Sequence, residues 1–226
     1  MRRFYRSFLT FLVGSFIFVI LPLISWEPDD IEGFLANSAR LSYIIAALLL
    51  NGYAAFKIPE FGKKKNAVKK KVDRQHLAVT FLQITSLLLI IAAPFSDRRN
   101  FLEISLPDTI RFAGLILYIT GFLIMHLVEA YMGKQFTVEV SIQEDHKLFT
   151  EVPFHYIRHP RYSGMIIFTL GLSLIFKSWI ALILFFLIIL ILLWRINDEE
   201  KLMHQEFGER WEEYSKKTWR LIPFIY

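Results

Sequence analysis

Apolar residues fall into long uninterrupted runs separated by short polar segments. Phe8–Ser25, Leu35–Phe56, His76–Phe95 and Pro107–Tyr131 each approach the ~20 residues with which an α-helix crosses a ~30 Å hydrocarbon layer. They predict four membrane spans. A shorter apolar stretch, Tyr162–Phe176, is broken by Lys177 and Ser178 and resumes as Trp179–Trp194. Two apolar arms this close, with a polar break between them, predict a helical hairpin. Beyond it, Asp198 to about Lys217 has helical periodicity with Leu202, Phe207, Trp211 and Tyr214 on one face. A charged opposite face suits a helix lying across the mouth of a bundle. Arg220–Pro223 reads as extended. The pattern predicts an all-α polytopic membrane protein with about six membrane-embedded helices and a cytoplasmic C-terminal helix. Residues 1–131 form the N-terminal membrane helices and residues 132–226 a separate functional region.

Composition strengthens this picture. Hydrophobic residues make up 54% of the 226-residue chain and the mean hydropathy is +0.41, against ~45–50% apolar in soluble domains. The bilayer is therefore the first partner. The N-terminal MRRFYRSF resembles the start of a signal peptide, but the apolar run continues to Trp26 without a small-x-small site, so a retained first span is expected. The net charge of +5 comes largely from Lys57–Arg74, a lysine-rich loop. It reads as a cytoplasmic topology determinant, with contact to anionic headgroups compatible, rather than as a nucleic-acid surface. Charge alone then puts the N-terminus inside, the acidic Trp26–Gly33 loop outside and the end of the fourth span inside. There are no cysteines, which excludes disulfides, a thiolate nucleophile and Cys-based metal sites. No P-loop, G-x-G-x-x-G, G-x-S-x-G or H-E-x-x-H pattern occurs in an appropriate context.

Two polar segments interrupt the apolar second half, and the hairpin returns both to one surface. The first is Glu144–Gly164 and the second is Arg195–Tyr214. Arg195 follows directly on an apolar run and shares a helix face with Glu199 at i,i+4. Ionisable residues at a span boundary line a polar cavity, pair with each other, or snorkel to headgroups. Pro160 suits the first turn of a helix, so His159 and Pro160 mark the start of the first hairpin arm. The backbone N–H groups there, near Arg158 and Arg161, suit an anionic ligand group. His155 and His159 have the spacing of a helical metal pair but lack an evident third ligand, so no metal is expected. His126 and Glu129, one turn apart, either pair together or line the same cavity.

The ordered combination Gly133-Lys134-Gln135-Phe136-Thr137, His146-x-Leu148, Arg158-His159-Pro160-x-Tyr162-x-Gly164, Glu199-Glu200, Phe207-Gly208 and Tyr214 resembles the isoprenylcysteine carboxyl methyltransferase family. The resemblance covers about Tyr131–Pro223. It implies a multispan enzyme that transfers a methyl group from S-adenosylmethionine to a lipophilic or lipidated acceptor arriving through the bilayer. By resemblance, His146, Lys147, Leu148 and Phe149 form one cofactor-contacting segment. His159, Pro160, Arg161 and Tyr162 form a second, with Arg158 beside it, and Glu199 is a third contact. Arg195 falls near the methyl acceptor, and Gln135 neighbours the cofactor. The family's usual Gly-x-Tyr before the R-H-P motif is Val152-Pro153-Phe154 here, so Phe154 offers ring packing but no hydroxyl. Leu148-Phe149 replaces a frequent Leu-Val.

The implied chemistry asks little of acid–base groups. A carboxylate acceptor with a pKa of roughly 4 is already ionised, so alignment and exclusion of water are the main requirements. An amine acceptor, as in phospholipid N-methylation, would need a base, for which His126, Glu129 and His155 are candidates. Two further readings stay open: a membrane reductase using NADPH, with Arg158 and Arg161 on its 2′-phosphate, and a non-enzymatic scaffold.

Overall fold

The computed structural model describes residues 2–57, 68–71, 75–137, 141–143 and 147–226. Among the described residues the fold is all-α apart from one short ladder, and five helices are long and apolar enough to cross a membrane. It is an integral, multi-pass membrane protein. The first crossing is composite: α1 (Arg2–Ser15), a π-helical turn (Phe16–Ile20) and α2 (Leu21–Trp26). The widened turn brings the Phe18 carbonyl to Tyr43, whose hydroxyl donates to it at 2.5 Å.

Several boundaries differ from the sequence expectation. The acidic loop contains a 3-10 turn (Pro28–Asp30) and a short helix, α3 (Ile31–Ala36), so the second span starts at Ser38 rather than Leu35. Asp30 caps α3 by accepting from the Gly33 amide, and Asn37 breaks the helix while capping the next one through the amides of Ala39 and Arg40. The second span is α4 (Ser38–Lys57) and the third is α5 (Gln75–Arg98). Asp97 and Arg98, expected in a loop, belong to the last turn of α5. The fourth span is α6 (Thr109–Met132). A two-stranded antiparallel ladder was not anticipated: β1 (Val68–Lys71) pairs with β2 (Ser141–Gln143). The remainder of the lysine-rich loop, on which the topology argument rests, lies outside the described residues.

The hairpin is present as α7 (Pro160–Ile175) and α8 (Trp179–Phe207). Ser178 starts α8 by accepting from the Ala181 amide. α8 does not stop at Trp194. No Gly or Pro intervenes before Gly208, whose φ of +52° ends the helix. The helix expected from Asp198 is therefore divided at Gly208 between the end of α8 and a separate terminal helix, α9 (Glu209–Lys217). Residues after Trp219 form a turn rather than an extended strand, closed by Leu221 N–H to Tyr226 O at 2.9 Å and Tyr226 N–H to Ile222 O at 3.1 Å.

α6 and α7 pack tightly because glycines face glycines. A Cβ on Gly121 would lie 2.5 Å from the Gly164 carbonyl oxygen, and one on Gly114 would lie 2.7 Å from that of Gly171. Such small-residue contacts let backbones approach where the lipid supplies no hydrophobic drive. Around this seam sits an aromatic core of Tyr43, Tyr118, Phe168 and Phe176.

One end of the bundle is tied by a buried charge network. Asp97 accepts two bonds from Arg111 (2.7 and 2.8 Å) and one from Arg40 (3.1 Å). Arg111 also donates to the Ile175 carbonyl, and Lys177 pairs with Glu103 at 2.8 Å and lies 3.4 Å from Asp108. The network joins the ends of α4, α5, α6 and α7. Arg111 at the start of α6 holds the Asp108 carboxyl below the usual range.

Candidate active site

The opposite end of the bundle carries a cavity of about 80 Å³. Its walls come from the end of α6 (Met132), the loop after it (Gln135, Thr137), β2 (Ser141, Ile142), the loop before α7 (Leu148, Phe149, Phe154, Arg158), the start of α7 (His159, Tyr162), the second half of α8 and α9 (Trp211, Tyr214). The α8 contribution is Arg195, Glu199, Leu202 and Met203. These four share one helical face because Arg195, Glu199 and Met203 follow at i,i+4 and Leu202 lies at i,i+3 from Glu199.

Tyr162 is the centre of the polar floor. Its hydroxyl accepts from Arg195 Nε at 2.7 Å and donates to Glu199 Oε2 at 2.7 Å. Its ring stacks on His159 at 5.5 Å between centroids. Arg195 is only 4% exposed, whereas the Glu199 side chain is 31% exposed. The arginine is therefore held in a fixed position, while the carboxylate still faces open space. A buried guanidinium needs such partners, because an unpaired charge away from water is costly.

Glu200 turns the other way and organises the wall behind the site. It accepts from Arg158 Nε at 2.9 Å and Arg220 Nη2 at 2.8 Å, and lies 3.4 Å from His159 Nε2. Arg158 Nη1 also donates to the carbonyl oxygens of Ser215 (2.8 Å) and Thr218. Its backbone N–H donates to Trp219 O, and that of His159 donates to Arg220 O. The guanidinium expected to attract an anion at the start of α7 is thus also the clasp that fixes α9 and the segment after it.

The apolar walls are aromatic. Phe149 and Phe154 stack at 5.6 Å, and Tyr131 lies against both. Tyr214 donates to the Phe154 carbonyl at 2.7 Å. Burial pushes the Tyr214 phenol up to about 12. Gln135 Oε1 accepts from the Lys147 amide at 3.2 Å, tying the two loops together.

Of the residues singled out in the sequence, Gln135, Leu148, Phe149, Phe154, Arg158, His159, Tyr162, Arg195 and Glu199 meet on this cavity. Lys147 instead lines an adjoining open groove of about 870 Å³, together with Leu148, His155, Arg210, Tyr214 and Lys217. Pro160 is buried at the first position of α7. Arg161 points away from the cavity, to Glu129 at 2.7 Å and over the Phe136 ring. His126 lies 3.3 Å from Glu129, so this pair is mutually engaged on α6. His146 lies outside the described residues. His155 precedes α7 and faces the larger groove, so its spacing to His159 is not that of one helix face. Among the other lining residues, Thr137 and Tyr214 belong to the motif segments, and Leu202, Trp211 and Tyr214 were visible as an apolar stripe. Met132, Ser141 and Ile142 carried no comparable signal.

Residues 109–210 match the family model described as phospholipid methyltransferase. Among curated proteins, the chain is 32% identical over 123 residues to a probable protein-S-isoprenylcysteine O-methyltransferase of Oryza sativa subsp. indica, covering 51% of this chain and 62% of that protein. It is 30% identical over 119 residues to protein-S-isoprenylcysteine O-methyltransferase B of Arabidopsis thaliana (50% and 58%). It is 33% identical over 104 residues to the protein-S-isoprenylcysteine O-methyltransferase of Schizosaccharomyces pombe (44% and 42%). The matched region thus spans about three-fifths or less of these relatives.

Proposed function

We propose that this chain, which is similar over about half its length to protein-S-isoprenylcysteine O-methyltransferases, belongs to the isoprenylcysteine carboxyl methyltransferase family and is an integral-membrane methyltransferase that uses S-adenosylmethionine to methylate the carboxylate of a lipophilic, isoprenylcysteine-like acceptor. The observation that carries this reading is the Arg195–Tyr162–Glu199 linkage on the floor of an aromatic cavity at the membrane end of α8. Residues 132–226 are the catalytic region and residues 1–131 the membrane helices that guide the acceptor. The positive-inside rule applied to Lys57–Arg74 puts the N-terminus and this region on the cytoplasmic side.

The residues present suit the cofactor's chemistry. Phe149, Phe154, Trp211 and Tyr214 offer apolar faces to an adenine ring, and Glu199 keeps an exposed carboxylate for hydroxyl or amino donors. Gln135, Leu148 and Arg158 complete the wall, and His159 to Tyr162 present the first turn of α7. His146 and Lys147 immediately precede Leu148 in the sequence. When bound, S-adenosylmethionine supplies a sulfonium methyl group. Arg195 donates hydrogen bonds to the acceptor carboxylate and aligns an oxygen for in-line attack. With the cofactor bound, the methyl group would pass to that oxygen and the electron pair of the broken carbon–sulfur bond would stay on sulfur. No proton moves, so no general base is required at the acceptor. Tyr162 fixes Arg195, and the aromatic walls exclude water.

Purified protein is to be incubated with radiolabelled S-adenosylmethionine and a farnesylated cysteine derivative, with the same compound as its amide for comparison. Label should enter only the free acid, as a base-labile ester. Calorimetry with S-adenosylhomocysteine and NADPH completes the test, and binding of NADPH alone would overturn the proposal. Because the matched family model is named for phospholipid methyltransferases, an amine acceptor is the second reading. Base-stable label in an aminophospholipid would select it.

A further inference from the structure

Residues 219–226 form a turn that exposes apolar side chains beside the start of α7. Phe224 is 86% exposed, Ile225 75% and Ile222 45%. Four large apolar or aromatic side chains, counting Trp219, are gathered here, and Trp219 packs on Phe224 at 5.6 Å. Such a patch on a surface facing water would be a liability.

Its depth relative to the bilayer can be worked out from α7. The far end of this helix is marked by Lys177, paired with Glu103 at 2.8 Å. From there α7 runs 16 residues back to Pro160, about 24 Å at ~1.5 Å per residue. A hydrocarbon layer of ~30 Å is thicker than that. The first turn of α7 therefore lies at or inside the hydrocarbon boundary on the site's side. α6 agrees independently. Arg161 in that first turn pairs with Glu129, and next to it on α6 Leu127 is 61% exposed, as a lipid-facing residue should be.

The 219–226 segment is fastened to this same turn. Arg158 N–H donates to Trp219 O at 2.7 Å, His159 N–H to Arg220 O at 3.1 Å, and Ser163 Oγ to Leu221 O at 2.6 Å. The partners descend α7 as the segment proceeds, so the chain moves deeper along the helix from Trp219 to Leu221. Arg220 stays on the polar side, bound to Glu200 at 2.8 Å and to the Tyr226 hydroxyl at 2.5 Å. Tryptophan at the boundary with apolar residues beyond it is the usual order of an interfacial anchor.

We propose that the turn Ile222–Ile225 is inserted into the lipid leaflet at the foot of α7, with acyl chains as its partner. The anchor is coupled to the candidate site, because the backbone of Arg158 and His159 hangs on the same segment. The proposal depends only on the chain spanning a membrane, and it stands or falls separately from the methyltransferase reading. The absence of cysteine makes the test direct. Ile225→Cys and, separately, Phe224→Cys are spin-labelled in the full chain reconstituted into phosphatidylcholine nanodiscs. Leu127→Cys serves as the lipid reference and Lys216→Cys as the aqueous one. Collision with oxygen should exceed collision with a water-soluble nickel chelate at 224 and 225, as at 127, and the order should invert at 216. Nickel accessibility at both 224 and 225 equal to that at 216 would overturn the proposal. So would protection from both reagents, which would mean that protein rather than lipid covers the turn.

Discussion

Tyr162→Phe removes one oxygen atom and leaves the ring stacked on His159, so it tests the polar floor of the cavity with little change in shape. Two hydrogen bonds are lost, each 2.7 Å long and each to a charged group. Bonds of this kind contribute about 1.5–3 kcal/mol each, but the two losses are unequal here. Glu199 is partly exposed and can take up water, whereas Arg195, at 4% exposure, cannot. The net destabilisation should therefore be about 2 kcal/mol and should arise mainly on the arginine side. If Arg195 aligns the acceptor, kcat/KM should fall by roughly 10–100-fold, equivalent to about 1.4–2.7 kcal/mol of transition-state stabilisation. Thermal unfolding in detergent and initial methyl-transfer rates give the two readouts. A double-mutant cycle locates the effect, with strong coupling expected between Tyr162→Phe and Arg195→Lys and weak coupling with Glu199→Gln. Parent-like unfolding together with parent-like kcat/KM in Tyr162→Phe would refute the reasoning.

Asp97→Asn leaves two buried guanidiniums facing a neutral amide at the other end of the bundle, and should destabilise by about 3–5 kcal/mol, seen as a large fall in the detergent melting temperature without a selective change in S-adenosylhomocysteine affinity. Gly121→Val places side-chain carbon against the Gly164 carbonyl and should prevent the α6–α7 seam from forming, which size-exclusion profiles of the solubilised protein will report. Tyr214→Phe removes the bond to the Phe154 carbonyl and should destabilise by about 1 kcal/mol. The Tyr214 phenol is raised from its ordinary value of 10 to about 12, so its folded-state advantage is complete below about pH 10 and is lost as pH rises through 12. The Tyr214→Phe deficit should accordingly be the same at pH 6 and pH 9 in thermal melts.

Hydropathy was sufficient to place the membrane helices, because a run of apolar residues long enough to cross lipid has few alternatives. It failed at their ends, where polar residues can either leave the helix or stay in it with a partner. Asp97 and Arg98 read as a loop because both are charged, yet Asp97 remains helical with partners on other helices, Arg111 and Arg40, that no local pattern links to it. The same blindness cut α8 short at Trp194. Charge suggested a new element from Asp198, whereas the absence of Gly or Pro before Gly208 was the better guide to the helix end. In the site, residues linked by helical spacing or by the R-H-P motif were legible. Arg161 was not, since sequence proximity to His159 says nothing about which way a side chain turns. β2 and its contribution of Ile142 depend on pairing with a strand some seventy residues earlier, a long-range contact that no local pattern encodes.

The continuity of α8 has a consequence for how variation can act on this molecule. Arg195 and Glu199 are one turn apart on a single helix, so their separation is set by the covalent chain and its i→i−4 hydrogen bonds. The distance from either to Tyr162 is set by how α7 seats against α8, and α7 is held in turn by its glycine seam with α6. A membrane of different thickness, or a substitution deep in the seam, would slide or tilt α7 relative to α8. It would change the bonds to Tyr162 while leaving the arginine–glutamate spacing intact. One coordinate of the site is a fixed ruler, and the other is an adjustable gap whose width is decided by residues such as Gly114 and Gly171, far out in the bilayer.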